Sequence, residues 1–160
     1  METNDHEAFA KKINGEVWRL LEKPDRSAAD DEQMVHAAHA SCYHWLHAGT
    51  PLQHQRGEWL IARVYTVLGH REAAERHTRR CLTLTQTHRD LMQDFDLAFA
   101  HELAARTAAL VGDREGAIEF IGKARAAGLA IADAEDRQIF FDDFFRFPWF
   151  GVDPGPRPAH

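Results

Sequence analysis

The sequence predicts an all-α protein, and three observations support this prediction. Ala and Leu together number 38 of the 160 residues, whereas Val and Ile number 12. The first pair favours helices and the second pair favours strands. Apolar residues recur at spacings of three and four, and no stretch alternates long enough with period two to indicate a strand. Gly and Pro residues divide the chain at intervals that suit helices joined by short connections.

Seven helices are expected, because each segment begins at a residue that can cap free amides or ends at a Gly or Pro. In order they are Asp5–Glu22 before Pro24, the segment from Ser27 to Gly49, Pro51–Leu68 after Thr50 and before Gly69, Arg71–Thr87, Leu91–Val111 after Asp90, the segment from Asp113 to Gly128, and Ala132–Phe145 before Pro148. Residues 1–150 are expected to form one helical domain. Residues 151–160 hold three of the six prolines and are expected to form a loose tail.

Composition and charge exclude several classes of protein. The chain is 44% hydrophobic and 28% charged, which is typical of a globular domain, and its net charge of -6 argues against a nucleic-acid partner. No apolar run approaches the roughly 20 residues of a membrane span, and the N-terminus lacks the basic-then-apolar order of a signal peptide. Two cysteines, Cys42 and Cys81, are too few for a disulfide framework, which favours a cytoplasmic location.

An internal repeat is visible around two glycines, Gly69 and Gly112, which lie 43 residues apart. Small residues recur at matching distances from each glycine, where they would let two antiparallel helices approach closely. The first copy reads Ala62-x-x-Tyr65-x-x-x-Gly69-x-x-x-x-Ala74-x-x-x-Thr78-x-x-Cys81, and the second reads Ala105-x-x-Ala108-x-x-x-Gly112-x-x-x-x-Ala117-x-x-x-Ile121-x-x-Ala124.

This spacing resembles the tetratricopeptide repeat (TPR), a helical hairpin of about 34 residues. The glycine spacing is longer than that repeat, an early Trp is missing from each copy, and no Pro closes either copy. The resemblance implies a short solenoid of stacked hairpins. Four further segments, including an AHASxYHW motif, are similar to a group of small bacterial TPR-like proteins without an assigned activity. They are Ala38-His39-Ala40-Ser41-Cys42-Tyr43-His44-Trp45, Gly49-Thr50-Pro51, Arg56-Gly57-Glu58-Trp59 and Asp94-Phe95-Asp96-Leu97-Ala98.

Four histidines on the second expected helix are candidate metal ligands: His36, His39, His44 and His47. They form two i,i+3 pairs on the less apolar face, and such neighbours are close enough to share an ion. A divalent Zn, Fe, Mn, Ni or Cu ion would suit imidazole ligands. The alternative is a solvated or half-buried face, because no Asp or Glu interleaves with these histidines.

A catalytic hypothesis uses the same histidines. His39 and His44, together with Glu58 or His77, could act as general acids and bases near neutral pH. Neither cysteine has the neighbours of a thiol nucleophile. The sequence contains no Gly-rich phosphate loop, CxxC pair, HExxH or GxSxG motif, which argues against the commonest enzyme classes.

A binding hypothesis follows from the TPR resemblance, since the first helix of each hairpin lines a concave groove in that family. The repeat register places two trios on this face, and guanidinium groups beside aromatic rings suit a small anionic ligand or an acidic peptide. The trios are Arg56, Trp59 and Arg63 on the third helix, and Phe99, Glu102 and Arg106 on the fifth. Internal salt bridges from these arginines to Glu58, Asp94, Asp96 or Glu102 are the alternative.

The segment Phe140–Phe150 contains seven aromatic residues in eleven. So many rings must be largely buried, which predicts a cap on the end of the helical stack, a homodimer contact, or both. The sequence analysis therefore favours a small TPR-like binding module over a histidine-based enzyme.

Overall fold

The computed structural model describes residues 1–159 and confirms the all-α prediction, with seven α-helices and no strand within that range. The α-helices are α1 (Thr3–Glu22), α2 (Ala28–Ala48), α3 (Pro51–Leu68), α4 (Arg71–Thr87), α5 (Asp94–Val111), α6 (Arg114–Leu129) and α7 (Ala134–Arg146). A short 3₁₀ helix, Arg89–Leu91, precedes α5.

The helix starts show which sequence signals were decisive. Ser27 caps α2 in a capping box: its Oγ accepts from the amide of Asp30 at 3.1 Å, and Oδ2 of Asp30 accepts from the amide of Ser27 at 2.9 Å. Thr50 caps α3, with Pro51 as its first residue, and Asp113 caps α6 by accepting from the amide of Gly116. These three starts are confirmed.

The predicted start of the fifth helix is wrong. Asp90 lies in the 3₁₀ helix, and α5 begins three residues after the predicted Leu91. Gln93 is the N-cap, and Oδ2 of Asp96 accepts a hydrogen bond from its amide at 3.0 Å. Several acidic residues near this point could each serve as the N-cap or as the third helical residue of a capping box. Composition alone therefore did not identify the residue at which α5 begins.

The internal repeat is confirmed in its backbone geometry. Gly69 and Gly112 both adopt left-handed conformations, with φ of 75° and 85°. The amide after each glycine donates to the carbonyl five residues earlier at 2.9 Å: His70 to Tyr65, and Asp113 to Ala108. This is the Schellman arrangement that glycine favours at a helix C-terminus. The matching positions are buried in both copies, namely Ala62 and Ala105, Ala74 and Ala117, Thr78 and Ile121, and Cys81 and Ala124.

The chain groups into two compact units, Met1–His88 and a second beginning at Arg89, whereas the sequence analysis treated residues 1–150 as one domain. In the first unit, α1 packs on α2, α2 on α3 and α3 on α4. Gly57 sets the spacing of α2 and α3, because a Cβ added there would lie 2.9 Å from Sγ of Cys42. Such a contact is shorter than carbon and sulfur tolerate, so the two backbones approach closely at this glycine.

In the second unit, α5 packs on α6, and α7 packs on both. An aromatic cluster forms where α5 meets α7: Phe140 lies edge-on to Phe99, with ring centroids 4.9 Å apart, and Trp149 lies 4.7 Å from Phe144. Of the C-terminal rings, Phe145 is half-buried and Phe150 is exposed, whereas the others are buried. The aromatic cluster is therefore confirmed, and most of it lies inside the chain.

The Pro-rich C-terminal segment has no helix or strand in residues 152–159, yet it makes defined contacts. Arg125 of α6 donates to the carbonyl of Pro154 at 3.0 Å and to that of Pro156 at 2.6 Å. Arg157 pairs with Asp142, and Val152 is buried. These contacts attach the segment to α6 and α7, and none of them was predicted from the sequence.

Candidate functional site

The side chains of the four histidines of α2 lie in three different environments. His36 is exposed, with Nε2 3.8 Å from Oε1 of Glu32 one turn earlier. His39 contacts residues of α3 and α4, whereas His44 and His47 contact α1. The His36/His39 pair is therefore divided between two surroundings, whereas His44 and His47 share one. Across residues 1–159, no group of three or more His, Cys, Asp or Glu side chains is arranged to hold a metal ion.

A histidine–tyrosine cluster forms on α2, α3 and α4, and consists of His39, Tyr65, His77, Glu58 and Arg80. Nδ1 of His77 donates to Oε2 of Glu58 at 2.6 Å, and Nε of Arg80 lies 3.1 Å from Oε1 of the same carboxylate. Nε2 of His39 lies 2.9 Å from the Tyr65 hydroxyl oxygen. The Tyr65 ring stacks on His77 at 5.8 Å, so it joins the two histidines.

The cluster spans the boundary between interior and solvent. The side chain of Glu58 is 9% exposed and that of His77 is 12% exposed, whereas that of Arg80 is 56% exposed. Burial lowers the pKa of His39, and the nearby His77 lowers it further, against the opposing effect of Glu58. The neutral form of His39 is therefore favoured.

The cluster contains the groups that acid–base catalysis requires, namely an imidazole and a carboxylate that orients it. With its Nδ1 proton held by Glu58, a neutral His77 keeps the Nε2 lone pair, which is the arrangement of a general base oriented by a carboxylate. Three of the four predicted catalytic residues, His39, Glu58 and His77, are thus brought together. His44 is not among them. Sequence analysis missed Tyr65 as a site residue, although its place in the repeat could have drawn attention to it.

Cys42 lies beside this cluster and is buried. Burial, and secondarily the charge of Glu58, raise the pKa of the Cys42 thiol to about 11. Cys81 is also fully buried. These placements agree with the prediction that neither cysteine serves as a nucleophile.

His44 belongs to a second cluster, formed with His6 of α1. The Nδ1 atoms of His6 and His44 lie 2.9 Å apart, and the His47 ring stacks on His6 at 4.6 Å. Phe9 stacks on the other side of His44 at 5.4 Å. Burial lowers the pKa of His6, and the neighbouring His47 and His44 lower it further. Sequence analysis missed His6, because nothing in α1 alone shows which residues of α2 face it.

The predicted groove residues of α3 are mostly buried. Trp59 stacks on Trp18 with centroids 5.9 Å apart, and the Arg63 guanidinium lies 4.7 Å from the Trp59 ring centre. Arg63 has no exposed surface, whereas Arg56 is exposed. The indole of Trp59 is therefore committed to packing within the first unit.

The predicted groove residues of α5 are buried as well. Arg106 donates to Glu102, to the carbonyls of Phe147 and Pro148 at 2.7 and 2.8 Å, and to that of Phe144 at 3.1 Å. Its guanidinium also lies 4.0 Å from the Trp149 ring centre. Glu102 and Arg106 have no exposed surface, and Phe99 is buried against Phe140. For Arg106, the internal salt bridge left open by the sequence is the arrangement found.

Within residues 1–159, no helix combines the length and apolar character needed to cross a bilayer. Comparisons of the chain with protein families, with curated protein sequences and with solved structures find no match.

Proposed function

We propose that this protein is a small cytoplasmic binding module and that its ligand, a small anion or an acidic peptide, contacts the histidine–tyrosine cluster of the first unit. The observation that carries the proposal is the Glu58–His77 hydrogen bond of 2.6 Å, at a surface formed by three helices. It fixes a half-buried imidazole beside Tyr65 and His39, which gives the surface a preorganised set of polar groups.

The charges around the cluster favour an anionic ligand. Its carboxylate, Glu58, is almost fully buried and is covered by His77 and Arg80. The charged group nearest to solvent is the Arg80 guanidinium, and Arg76 and Arg79 of α4 are also exposed. The imidazole of His39 adds a hydrogen-bonding group, not a charge. Guanidinium groups bind carboxylates and phosphates through two parallel hydrogen bonds, so this surface suits either anion.

The proposal keeps the class of function predicted from the sequence, a binding module, but places the ligand on the histidine–tyrosine cluster instead of the predicted groove. Five of the six groove residues are buried, and buried side chains do not meet a ligand from solvent. We further propose that the helical hairpins within each unit are TPR-like and that the aromatic segment from Phe140 to Phe150 caps the hairpin of α5 and α6. The repeated turn geometry at Gly69 and Gly112 supports the first part, and the burial of Phe140 and Phe144 supports the second.

The binding proposal is tested by titrating inorganic phosphate, citrate and a hexaglutamate peptide into labelled protein while recording the histidine ring signals. Binding at the cluster should move the signals of His39 and His77, and the double variant His39→Ala/Arg80→Ala should weaken it by about tenfold or more. His36→Ala is the matched control, since His36 is exposed on the same helix but lies outside the cluster. The proposal would be refuted if the ligands left the ring signals of His39 and His77 unchanged, or if the double variant bound them as tightly as the wild type.

An acid–base enzyme is the second candidate, and the same Glu58–His77 pair favours it. His77 would be the general base, Glu58 would orient it, and His39 with Tyr65 would hold the substrate or return a proton. Turnover of p-nitrophenyl esters or phosphates that survives His36→Ala and is lost in His77→Gln would favour this candidate. Ligand binding without turnover in that panel would favour the binding module.

A further inference from the structure

The second histidine cluster joins the beginning of α1 to the end of α2. His6 lies in the first turns of α1, and His44 and His47 lie in the last turns of α2. The Nδ1 atoms of His6 and His44 share a hydrogen bond of 2.9 Å, in which one nitrogen donates a proton and the other accepts it. Two imidazole nitrogens converging from different helices are the elementary unit of a metal-binding site.

We propose that His6 and His44 chelate a divalent transition metal of the Cu²⁺ or Ni²⁺ type, in a two-imidazole site completed by solvent. The site differs from the one predicted for α2 alone, because its defining ligand is His6 of α1. It is also separate from the proposed anion-binding surface, since neither histidine belongs to the histidine–tyrosine cluster.

The ligand type favours Cu²⁺ and Ni²⁺, because a site of imidazole nitrogens binds these ions more tightly than Mn²⁺, Fe²⁺ or Co²⁺. Metal–imidazole bonds are about 2.0–2.1 Å long, so two nitrogens at a right angle around one ion lie about 2.9 Å apart, whereas tetrahedral neighbours lie about 3.3–3.4 Å apart. Right-angled neighbours occur in the tetragonal and square-planar coordination of Cu²⁺ and Ni²⁺. The Nδ1 atoms of His6 and His44 already share a hydrogen bond at 2.9 Å, so an ion bound between them would displace the proton that they share, and right-angled coordination would keep their spacing.

The surroundings favour a cation and offer a further ligand. His44 and His47 lie near the C-terminal end of α2, where the helix dipole is negative and stabilises positive charge. His47 is exposed and lies one turn from His44, and its ring already stacks on His6 at 4.6 Å. Coordination by His47 would need a change of its rotamer, since the three side chains are not arranged as a ligand group in the structure. Phe9, stacked on His44, shields one side of the pair from water.

Copper and nickel titrations of the full chain test the site. Calorimetry and the electron paramagnetic resonance spectrum of bound Cu²⁺ should be recorded with excess glycine, which masks weak binding by other surface histidines. The wild type should bind one equivalent with nitrogen ligation, and Ni²⁺ should raise its Tm. His6→Ala should weaken the Cu²⁺ affinity by about tenfold or more and abolish the Tm increase.

The controls separate this site from general histidine binding and from misfolding. His36→Ala, which removes an exposed histidine elsewhere on α2, should leave the affinity and the Tm increase unchanged. His44→Ala should reproduce the effect of His6→Ala. His6 lies in the first turn of α1 and is only half-buried, so its replacement should keep the helical circular dichroism even if His44→Ala unfolds. Unchanged Cu²⁺ binding by folded His6→Ala, or equal loss in His36→Ala, would overturn the proposal.

Discussion

Glu58 of α3 uses both carboxylate oxygens to hold α4: Oε2 accepts from Nδ1 of His77 at 2.6 Å, and Oε1 lies 3.1 Å from Nε of Arg80. The carboxylate is almost fully buried, so these two donors replace the water molecules that would otherwise solvate its charge. One residue thus links the packing of the first unit to the chemistry proposed for its surface.

The first prediction is that Glu58→Ala destabilises the protein by about 1–3 kcal/mol, because it leaves the half-buried Nδ1 of His77 without its acceptor. The free energy of unfolding in urea measures this. Glu32→Ala is the matched control: its carboxylate also faces a histidine one turn away, but both side chains are more than three-quarters exposed. That variant should change the stability by less than about 0.5 kcal/mol. Equal effects of the two variants would contradict the buried role of Glu58.

The second prediction concerns the close approach of α2 and α3 at Gly57. Gly57→Ala gains about 1 kcal/mol of helix propensity, but its Cβ would lie 2.9 Å from Sγ of Cys42. The clash should dominate and give a net destabilisation of about 1–3 kcal/mol in urea unfolding. The added variant Cys42→Ala should recover part of the loss by removing the sulfur.

Two other glycines serve as controls for Gly57. Gly15 of α1 and Gly122 of α6 have nothing within 4 Å of an added Cβ. Gly15→Ala and Gly122→Ala should therefore each stabilise the protein by about 0.5–1 kcal/mol through helix propensity alone. Stabilisation by all three alanines would show that α2 and α3 separate without cost.

The helices and the repeat were predictable because their signals are local. Ser27, Thr50-Pro51 and the two left-handed glycines act within a few residues of chain, and each was read correctly. The start of α5 was missed because Gln93, an uncommon cap, begins it in place of Asp90.

The site was only partly predictable because side chains from different helices form it. Helical spacing correctly placed His39 on the polar side of α2, but it could not pair His39 with Tyr65 or His44 with His6. Those pairings depend on the rotation of each helix about its axis after packing. The same limit explains Arg106, which the repeat register assigned to an open groove and which lies inside the second unit.

The third prediction is that Arg106 holds the C-terminal segment on α5. Arg106→Leu removes the hydrogen bonds to the carbonyls of Phe144, Phe147 and Pro148 and leaves the Glu102 carboxylate buried without this partner. Breaking a buried ion pair on one side costs about 3–5 kcal/mol, which urea unfolding would show. The double variant Arg106→Leu/Glu102→Leu should be more stable than Arg106→Leu, because it no longer buries a carboxylate that has lost the Arg106 guanidinium. A double variant that is less stable would contradict this account.

The fourth prediction is an acid-dependent loss of stability at the start of α2. The hydrogen bonds from Lys23, and then from the Ser27 amide, lower the pKa of Asp30 to about 2. An unfolded Asp titrates near pH 3.9, so the contribution of Asp30 is complete above about pH 5 and is lost as the pH falls toward 2. The urea midpoint of the wild type should decrease more steeply over this range than that of Asp30→Asn. Parallel pH profiles would contradict the assignment.

The fifth prediction is that Cys42 resists alkylation in the folded protein. Its pKa of about 11 leaves a thiolate fraction of about one in a thousand at pH 8, and its side chain is buried beneath α3 at Gly57. In Cys81→Ala, which isolates Cys42, iodoacetamide labelling followed by mass spectrometry should be slow in buffer and rapid in guanidinium chloride. The native rate should keep rising with pH above 9, where an ordinary thiol reaches its plateau. Rapid native labelling at pH 8 with an early plateau would mean that Cys42 is accessible and has an ordinary pKa, and the close packing of α2 on α3 would then have to open in solution.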